Sequence, residues 1–568
     1  MRWWDSETWD SAAGARDAAR QREVPILLRI GATWCPHTRW QDTQCDDARV
    51  VTLLSERFVC VKVDKDRRPD LDRAYAVQGW PTLVWLNHEG EVLARSSALE
   101  AEALLWRAAE VDAAWSNGQR TPLPSLVSPS RAPASRAQVQ QELSSTLDSS
   151  LAATVAQRGI EAYDDVHGGF GRGAKFPRTD LLRLLLARWS AEGDEFALAM
   201  VLHSVRSMCN SPLHDRVEGG FHRMAHRPDW SQPSDEKPLA TNAEMLLLLA
   251  QAHQACGERW LLDAAQSTTR FLLESLLDAK TGSFASCVWG RGAERRVDRT
   301  LYADSQAQAV SALLRAEVVL QDPKLGECAQ TALSSLLDKL DDERRGVHHS
   351  YDTRARLPGR LLDQAYVVRA LVDASMADGC NERLACAQRL VALADQQLGL
   401  EHGCWADEPL DVFGRAATES RRQTLHDNAI MADAVLALGR YLGRADLESR
   451  ALRALQAFQG EWLRHGHLAA EYALAVEAAH HNGLVVTIVG ERNDDRASAM
   501  RRQARLPFVP AVVIRTLDPK CDTELLATSG YLRDLQAPRA YLTCGRSSRA
   551  TCVDPQKLRA LMAHVERG

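Results

Sequence analysis

The sequence predicts a multidomain protein. An N-terminal α/β domain (residues 1–115) is followed by a linker (116–140), a large all-α toroid (141–482) and a small α/β segment (483–568). Three observations predict this. Short alternating apolar runs such as "FVCVKVD" (58–64) mark strands in the first part. From about residue 141 the apolar spacing turns helical, and a pattern of paired helices recurs. After residue 482 the alternation returns, in "LVVTIVG" and "AVVIRTL".

A chain of 568 residues exceeds one ordinary core. Apolar residues make up 45% and charged residues 25%, the balance of a globular protein. The net charge of -6 argues against the broad basic surface of a nucleic-acid binder. No apolar run approaches the ~18 residues of a membrane span, and the first twenty residues lack the apolar centre of a secretory signal. Neither nucleic acid nor membrane is an expected partner. Thirteen cysteines, an odd count without framework spacing, point to reduced thiols and a cytoplasmic location.

In the first domain, Asp10–Arg22 reads as a helix and Val24–Ile30 as a buried strand. Cys35 stands at a strand-to-helix turn, Val50–Arg57 is helical, and Phe58–Asp64 is a second strand. "QGWPTLVWL" and "EVLARSS" form a hairpin around the Asn87–Gly90 turn. This order resembles thioredoxin. In that fold a cysteine at a helix start is placed where free N–H groups favour thiolate. Pro81 is then the candidate cis proline, setting the backbone of Trp80 beside the sulfur where an extended protein partner docks. Trp34, Thr38, Trp80 and Pro81 are the expected neighbours of Cys35. A dithiol cycle needs a second thiol at C-x-x-C spacing. Thr38 holds that place, so a dithiol oxidoreductase is not expected, and Cys35 is left as a single-thiol candidate.

A narrower resemblance follows from "PILLRIGATWC", "DDARVVTLLSERFVCVKVDKDRRPDLD" and "QGWP". These resemble the large bacterial and animal thioredoxin-domain proteins that include the spermatogenesis-associated ones. Thr38 and Arg39 replace the Cys-His of that pattern. Further on, "GGFGRGAKFPR" and "GGFHRMAHRPDWSQPSDEKPLATNAEMLL" continue the likeness, with His222, Arg223, Trp230, Pro233, Glu236, Lys237 and Asn242 at matching positions. Ser234-Asp235 and Thr241 depart from the pattern. Near the end, "RAYLTC" resembles a terminal element of the group. The resemblance implies an architecture, an N-terminal thioredoxin-like domain plus a six-hairpin helical toroid, and no settled reaction.

The helical region repeats. Four units align at Asn242, Ser305, Gln364 and Asn428, separated by 63, 59 and 64 residues. Each unit has a helix that is apolar nearly all round, then an amphipathic one, as inner and outer helices would be. Such pairs form either an open solenoid or a closed (α/α)6 barrel. The Gly-aromatic segments "GGFHR", "TGSFASCVWG", "RGVHHSYD" and "HGCWADE" resemble the β-like loops lining the mouth of six-hairpin glycosidases and epimerases, which favours closure.

Polar residues gather where inner helices would begin. They are Glu236, Lys237, Thr241 and Asn242; Tyr302 and Asp304; Asp363 and Gln364; and His426, Asp427 and Asn428. Helix capping is the simplest role for each. As a set they outline a site: Glu236, Asp304, Asp363, His426 and Asp427 for proton transfer, and His222, Arg223, Trp230, Lys237, Asn242, Tyr302 and Asn428 for binding. The adjacent pair His348-His349 lacks a helical ligand spacing, so no metal and no cofactor is expected. Three functions compete. The first is a carbohydrate-type or related small-molecule site in the toroid, with the first domain as cap or docking module. The second is a monothiol redox protein acting through Cys35. The third is a non-enzymatic scaffold.

Overall fold

The computed structural model describes residues 3–6, 9, 14–76, 79–119, 121–123, 147–409, 422–480, 483–527, 532, 538–545 and 547–567. The chain divides into two compact units, residues 1–140 with 408–421, and residues 141–407 with 422–568. No helix among the described residues is long and apolar enough to cross a membrane.

The first unit is built from β1 (Trp4–Asp5), α1 (Ala15–Arg22), β2 (Ile26–Gly31), α2 (Pro36–Cys45), α3 (Ala48–Arg57), β3 (Val59–Asp64), α4 (Pro69–Tyr75), β4 (Thr82–Leu86), β5 (Val92–Ser96) and α5 (Ala101–Ser116). The sheet order is β1-β3-β2-β4-β5. The first three strands run parallel, and β4 and β5 are antiparallel to their neighbours. Strand alternation sorts the core. Ile26, Leu28 and Ile30 pack with Ala15 and Ala19 of α1. Leu27, Leu83 and Trp85 pack on the opposite face with Leu54 of α3 and Leu104 of α5. The chain stays with this unit as far as Leu123, whose N–H donates to Leu93 O at 2.8 Å. Most of the expected linker, from residue 124 on, lies outside the described residues.

The second unit begins with α6 (Leu151–Glu161), α7 (Thr179–Glu192), α8 (Glu195–Asn210), β6 (Lys237–Pro238), α9 (Leu239–Cys256) and α10 (Arg259–Phe271). Next come β7 (Cys287–Trp289), β8 (Arg296–Asp298), β9 (Leu301–Tyr302), α11 (Ala303–Leu320), α12 (Pro323–Leu340), β10 (Asp341–Asp342), β11 (Gly346–Tyr351) and β12 (Ala355–Pro358). The helical part ends with α13 (Leu361–Asp378), α14 (Leu384–Leu398), α15 (Leu425–Leu442), α16 (Ala445–Gln456) and α17 (Ala470–His480). Helices α7, α9, α11, α13, α15 and α17 each pack on the next, and α17 returns to α7. The ring is closed, and an open superhelix is ruled out. The even-numbered helices α6 to α16 lie outside it, and the main apolar core fills the layer between the two rings.

The turns into four of the six inner helices, α9, α11, α13 and α15, are each held by an amide latch. Asn242 Oδ1 accepts from Phe221 N at 2.7 Å, and its Nδ2 donates to Phe221 O at 3.0 Å. Gln306 grips both backbone groups of Phe284 (3.0 and 2.6 Å), Gln364 those of Val347 (both 2.9 Å), and Asn428 those of Trp405 (2.8 and 2.9 Å). The repeat register therefore falls at Gln306 and not at Ser305, because only an amide offers donor and acceptor together on an arm of that reach. Before three of the latches an aspartate caps a tight turn closed by glycine, as Asp215 does for Val217 and Glu218. Gly219 sits there at φ +81, and a Cβ on it would meet Ser267 O at 2.4 Å.

The closing segment has β13 (Leu484–Val489), α18 (Asp495–Arg505), β14 (Val513–Leu517), α19 (Thr523–Ala527), β15 (Arg539–Cys544), β16 (Ser547–Cys552) and α20 (Pro555–Arg567). The order is β14-β13-β15-β16, with the expected three strands and one more, β16. This sheet is tied to the C-terminal ends of the inner helices. Gln254 Nε2 donates to Arg505 O (2.8 Å), Arg505 pairs with Glu317 (2.9 Å), Asn381 Nδ2 donates to Thr516 O (2.9 Å), and Arg515 Nη1 donates to Tyr441 O (2.9 Å).

Candidate functional site

The latch amides share one position in each repeat, so they give a common depth scale along the toroid axis. Two residues after each stand Glu244, Gln308, Tyr366 and Ile430; five after, Leu247, Ser311, Arg369 and Asp433; nine after on three helices, Gln251, Arg315 and Asp373. Steps of three and four keep one helix face. All of these side chains line a cavity of about 370 Å³, together with Arg183 of α7 and Glu471 of α17. Arg505, Phe508 and Val512 of the closing segment line its far end. Arg183 and Arg369 keep 29% and 27% of their surface although they point inward from a ring of helices. That surface belongs to the cavity.

The cavity wall is charged. Arg183 pairs with Glu471 at 3.3 Å, and Arg369 bridges Asp373 and Asp433, both at 3.0 Å. Glu244 Oε2 accepts from Thr179 Oγ1 at 2.8 Å. Burial, aided by the nearby charge of Glu471, pushes the Glu244 carboxyl up to about 7 against the pull of that hydrogen bond. Burial also raises Glu471, with Arg183 opposing. Tyr366 is raised well above its usual range by burial and by the charges of Glu471 and Glu244, so it keeps its hydroxyl proton. Gln308 Oε1 is buried and accepts no hydrogen bond from the described residues.

One turn nearer the helix starts lies a second cluster. One ligand atom each from Asp304, His349 and Asp363 falls within 4.8 Å of the others. His349 Nδ1 lies 3.0 Å from both oxygens of Asp363, and the Tyr302 ring leans on the imidazole at 5.2 Å. Burial, the largest single influence, pulls His349 down, but the charge and hydrogen bond of Asp363 together with the charge of Asp304 outweigh it and the net shift is upward. Burial raises Asp363, but His349 and Arg360 outweigh that and hold it low. Asp304 is raised by burial and by Asp363. The Arg360 guanidinium, 3.0 Å from His349 Nδ1 and 3.3 Å from Asp363 Oδ2, supplies the positive charge that a cation would bring to this donor set.

The structure scatters the other expected residues. Glu236 is buried and paired with Arg223 at 2.6 Å. Lys237 is bound by Asp215 (2.9 Å) and Glu218 (3.0 Å). Trp230 is a core residue that donates to His167 O at 2.9 Å. Asn242 and Asn428 spend their amides on the latches. His222 lines a separate recess of about 560 Å³ with His214, Asp215 and Arg291, and burial lowers its imidazole. His426 leaves 53% of its side chain exposed and contacts Asp427 at 3.2 Å. Asp304 and Asp363 come together around one histidine, His349, which had no role in the sequence-based site. The axial face was missed because the inner helices are apolar overall. Its signal is the polar spacing Asp363, Tyr366, Arg369, Asp373 and Asp304, Gln308, Ser311, Arg315.

In the first unit Cys35 is the N-cap of α2, with Pro36 at the first helical position. Its Sγ points to Trp80 O at 3.9 Å, and the Trp80-Pro81 bond is cis. The motif "DKDRRPDLD" (64–72) builds the surroundings. Asp66 accepts from Trp34 Nε1 (2.7 Å), Asp72 accepts from Trp80 Nε1 (2.8 Å), and Lys65 Nζ lies over both indoles at 5.5 and 4.9 Å. Arg68 and Asp70 form a buried bidentate pair that anchors the start of α4. Thr38 is buried, and its Oγ1 has no hydrogen-bond partner among the described residues. Burial pushes Cys45 up to about 11 and raises Cys60 further.

Residues 2–108 match the Thioredox_DsbH family, described as "Protein of unknown function, DUF255". The chain is 28% identical to human spermatogenesis-associated protein 20 over 376 residues, covering 61% of this chain and 46% of the relative. The mouse protein of that name is 26% identical over the same length, with the same coverage. The chain thus spans about half the length of these relatives. Among solved structures, cellobiose 2-epimerase from Spirochaeta thermophila DSM 6192 superposes with a TM-score of 0.49 at 15% identity, covering 58% of this chain and 94% of the other. Cellobiose 2-epimerase from Bacillus thermoamylovorans B4167 gives 0.48 at 12% identity, covering 54% and 84%.

Proposed function

We propose that this relative of spermatogenesis-associated protein 20 holds a carbohydrate-type small molecule in the axial cavity of its toroid, with Glu244 giving and taking a proton. One observation carries the reading: the inner helices turn charged and polar side chains, among them Glu244, Gln308, Tyr366, Arg369 and Asp433, toward a cavity of about 370 Å³ that apolar residues also line. That volume lies in the range of small-molecule sites. Charged side chains held away from bulk water cost stability unless they are paired or meet a ligand or water. Gln308 Oε1 supports the same reading, since a buried acceptor without a donor fits a ligand hydroxyl. A carboxyl at about 7 is suited to acid–base work near neutral pH. The Asp304–His349–Asp363 group, one turn nearer the helix starts, sets the charge at that end of the axis. Asp427, whose charge reaches Asp363, and its neighbour His426, whose charge reaches Glu471, are further acid–base candidates. The thirteen cysteines, none paired, support a reducing, cytoplasmic setting.

The test is calorimetric titration of the purified protein with a panel of mono- and disaccharides, preceded by native mass spectrometry for molecules that co-purify. A binder should lose at least tenfold in affinity in Gln308→Leu and Tyr366→Phe. Failure of every sugar to bind, with no co-purifying polyol, would remove the carbohydrate reading.

A second role, compatible with the first, is docking of an extended protein segment at the Cys35/Pro81 surface, with Cys35 forming at most a mixed disulfide. The free Cys35 thiol beside the Trp80 carbonyl favours it. Partner capture by Cys35→Ser at wild-type strength would leave docking and remove the thiol.

A further inference from the structure

We infer that the far end of the axial cavity is an anion seat built on Arg315, so that the ligand carries a carboxylate or phosphate as well as hydroxyls; this rests on the reading that the cavity takes a ligand. Four guanidinium groups line the cavity: Arg183, Arg315, Arg369 and Arg505. Three have carboxylate partners, Glu471, Asp373 with Asp433, and Glu317. Arg315 makes no ion pair among the described residues. Its Nη1 donates to the neutral Gln254 Oε1 at 3.3 Å.

The other three guanidinium groups add to the field at Arg315, and Asp373, the strongest single charge acting on it, opposes them. Burial and these cations draw its pKa down to about 10. A guanidinium that is desolvated, crowded by like charge and short of a counterion is matched by an incoming anion. Its planar fork suits the two oxygens of a carboxylate or phosphate.

Depth fixes the shape of the ligand. Gln308 and Arg315 lie seven residues apart on α11, a rise of roughly 10 Å. A hydroxyl-bearing ring reaching Gln308, Tyr366 and Glu244 would present a charged substituent to Arg315. A uronate and a sugar phosphate share this chemistry.

The experiment titrates wild type, Arg315→Gln and Arg315→Lys with D-glucose, D-glucuronate, D-glucose 6-phosphate and inorganic phosphate, by calorimetry and thermal shift. Circular dichroism checks that both variants fold. We expect at least one anionic sugar to bind wild type tenfold or more tighter than glucose, and inorganic phosphate alone to raise Tm. Arg315→Gln should abolish both effects, and Arg315→Lys should keep part of them. The stronger of the two anionic sugars identifies the substituent. If glucose binds as well as the anionic sugars, or Arg315→Gln keeps the preference, the seat is overturned while the cavity reading stands. If phosphate binds through Arg315 and no sugar binds, the seat stands and the carbohydrate reading falls. If no anion depends on Arg315, including the case where none binds, the seat is overturned.

Discussion

Thr179 Oγ1 donates to Glu244 Oε2 at 2.8 Å, joining the first residue of α7 to the second turn of α9. The bond favours the ionised carboxyl, yet burial wins and the Glu244 pKa rises from 4.5 to about 7. A folded-state pKa above the unfolded one means that the folded chain binds the extra proton. The associated stability is full below pH 4.5 and is lost as pH rises through 7. Glu244→Gln removes this titration. Urea unfolding from pH 4.5 to 8 should show wild type losing on the order of 1–3 kcal/mol relative to the variant. Parallel pH profiles would place Glu244 in a wetter site than the hydrogen bond and burial imply.

The latches make a second prediction. Gln306→Ala leaves the buried N–H and carbonyl of Phe284 without their partner. Two such losses cost roughly 2–4 kcal/mol together. Ser305→Ala removes one hydroxyl bond to Tyr302 O at 3.3 Å and should cost about 1 kcal/mol or less. Chemical denaturation of the two variants separates them. Equal losses would return the repeat register to Ser305.

That one-residue difference shows what the sequence could and could not display. Helix pairing, the repeat and the thioredoxin-like order are written in local periodicity and turn residues, and each appears in the structure. The latch needs a side chain of particular reach, and a serine beside a glutamine in "DSQAQ" hides which of them reaches Phe284. His349 was illegible as a partner of Asp363 because it arrives on β11, a loop strand fourteen residues earlier in the chain. The polar axial stripe is present in "DQAYVVRALVD", but it is masked by the apolar residues that pack the same helix against its neighbours on either side.

The His349–Asp363 pair yields a third prediction. The raised His349 pKa means that the imidazolium is held in the folded state. Its stabilisation is complete below 6.5 and fades as pH rises through the higher folded value. In a histidine-labelled sample, the His349 ring should remain protonated at pH values where a free imidazole has lost its proton. Asp363→Asn removes the charge and leaves burial and Arg360 to dominate, so the His349 pKa should fall below 6.5. A titration unchanged by Asp363→Asn would mean that another group holds the proton.

The last prediction concerns the first unit, which should not turn over disulfides. Cys35 has the placement of a nucleophile, at the start of α2 and beside the Trp80 carbonyl. Release of a mixed disulfide needs a second thiolate within reach. Thr38 occupies the resolving position, buried, with its hydroxyl against Gly31, where a Cβ would come within 2.4 Å of Oγ1. An alcohol does not ionise near neutral pH and forms no disulfide. Cys45 and Cys60 are buried in the core, and burial holds both thiols protonated. Insulin-disulfide reduction driven by dithiothreitol should therefore run at the background rate for wild type and for Cys35→Ser alike. Thr38→Cys should change the outcome. Mass spectrometry after mild oxidation should find a bond between Cys35 and the introduced thiol, at little cost in stability, because a sulfur replaces a buried oxygen that has no hydrogen-bond partner among the described residues. A Cys35-dependent rate well above background in wild type, with a Cys35–Cys45 disulfide trapped by alkylation, would show that the core opens far enough to present Cys45.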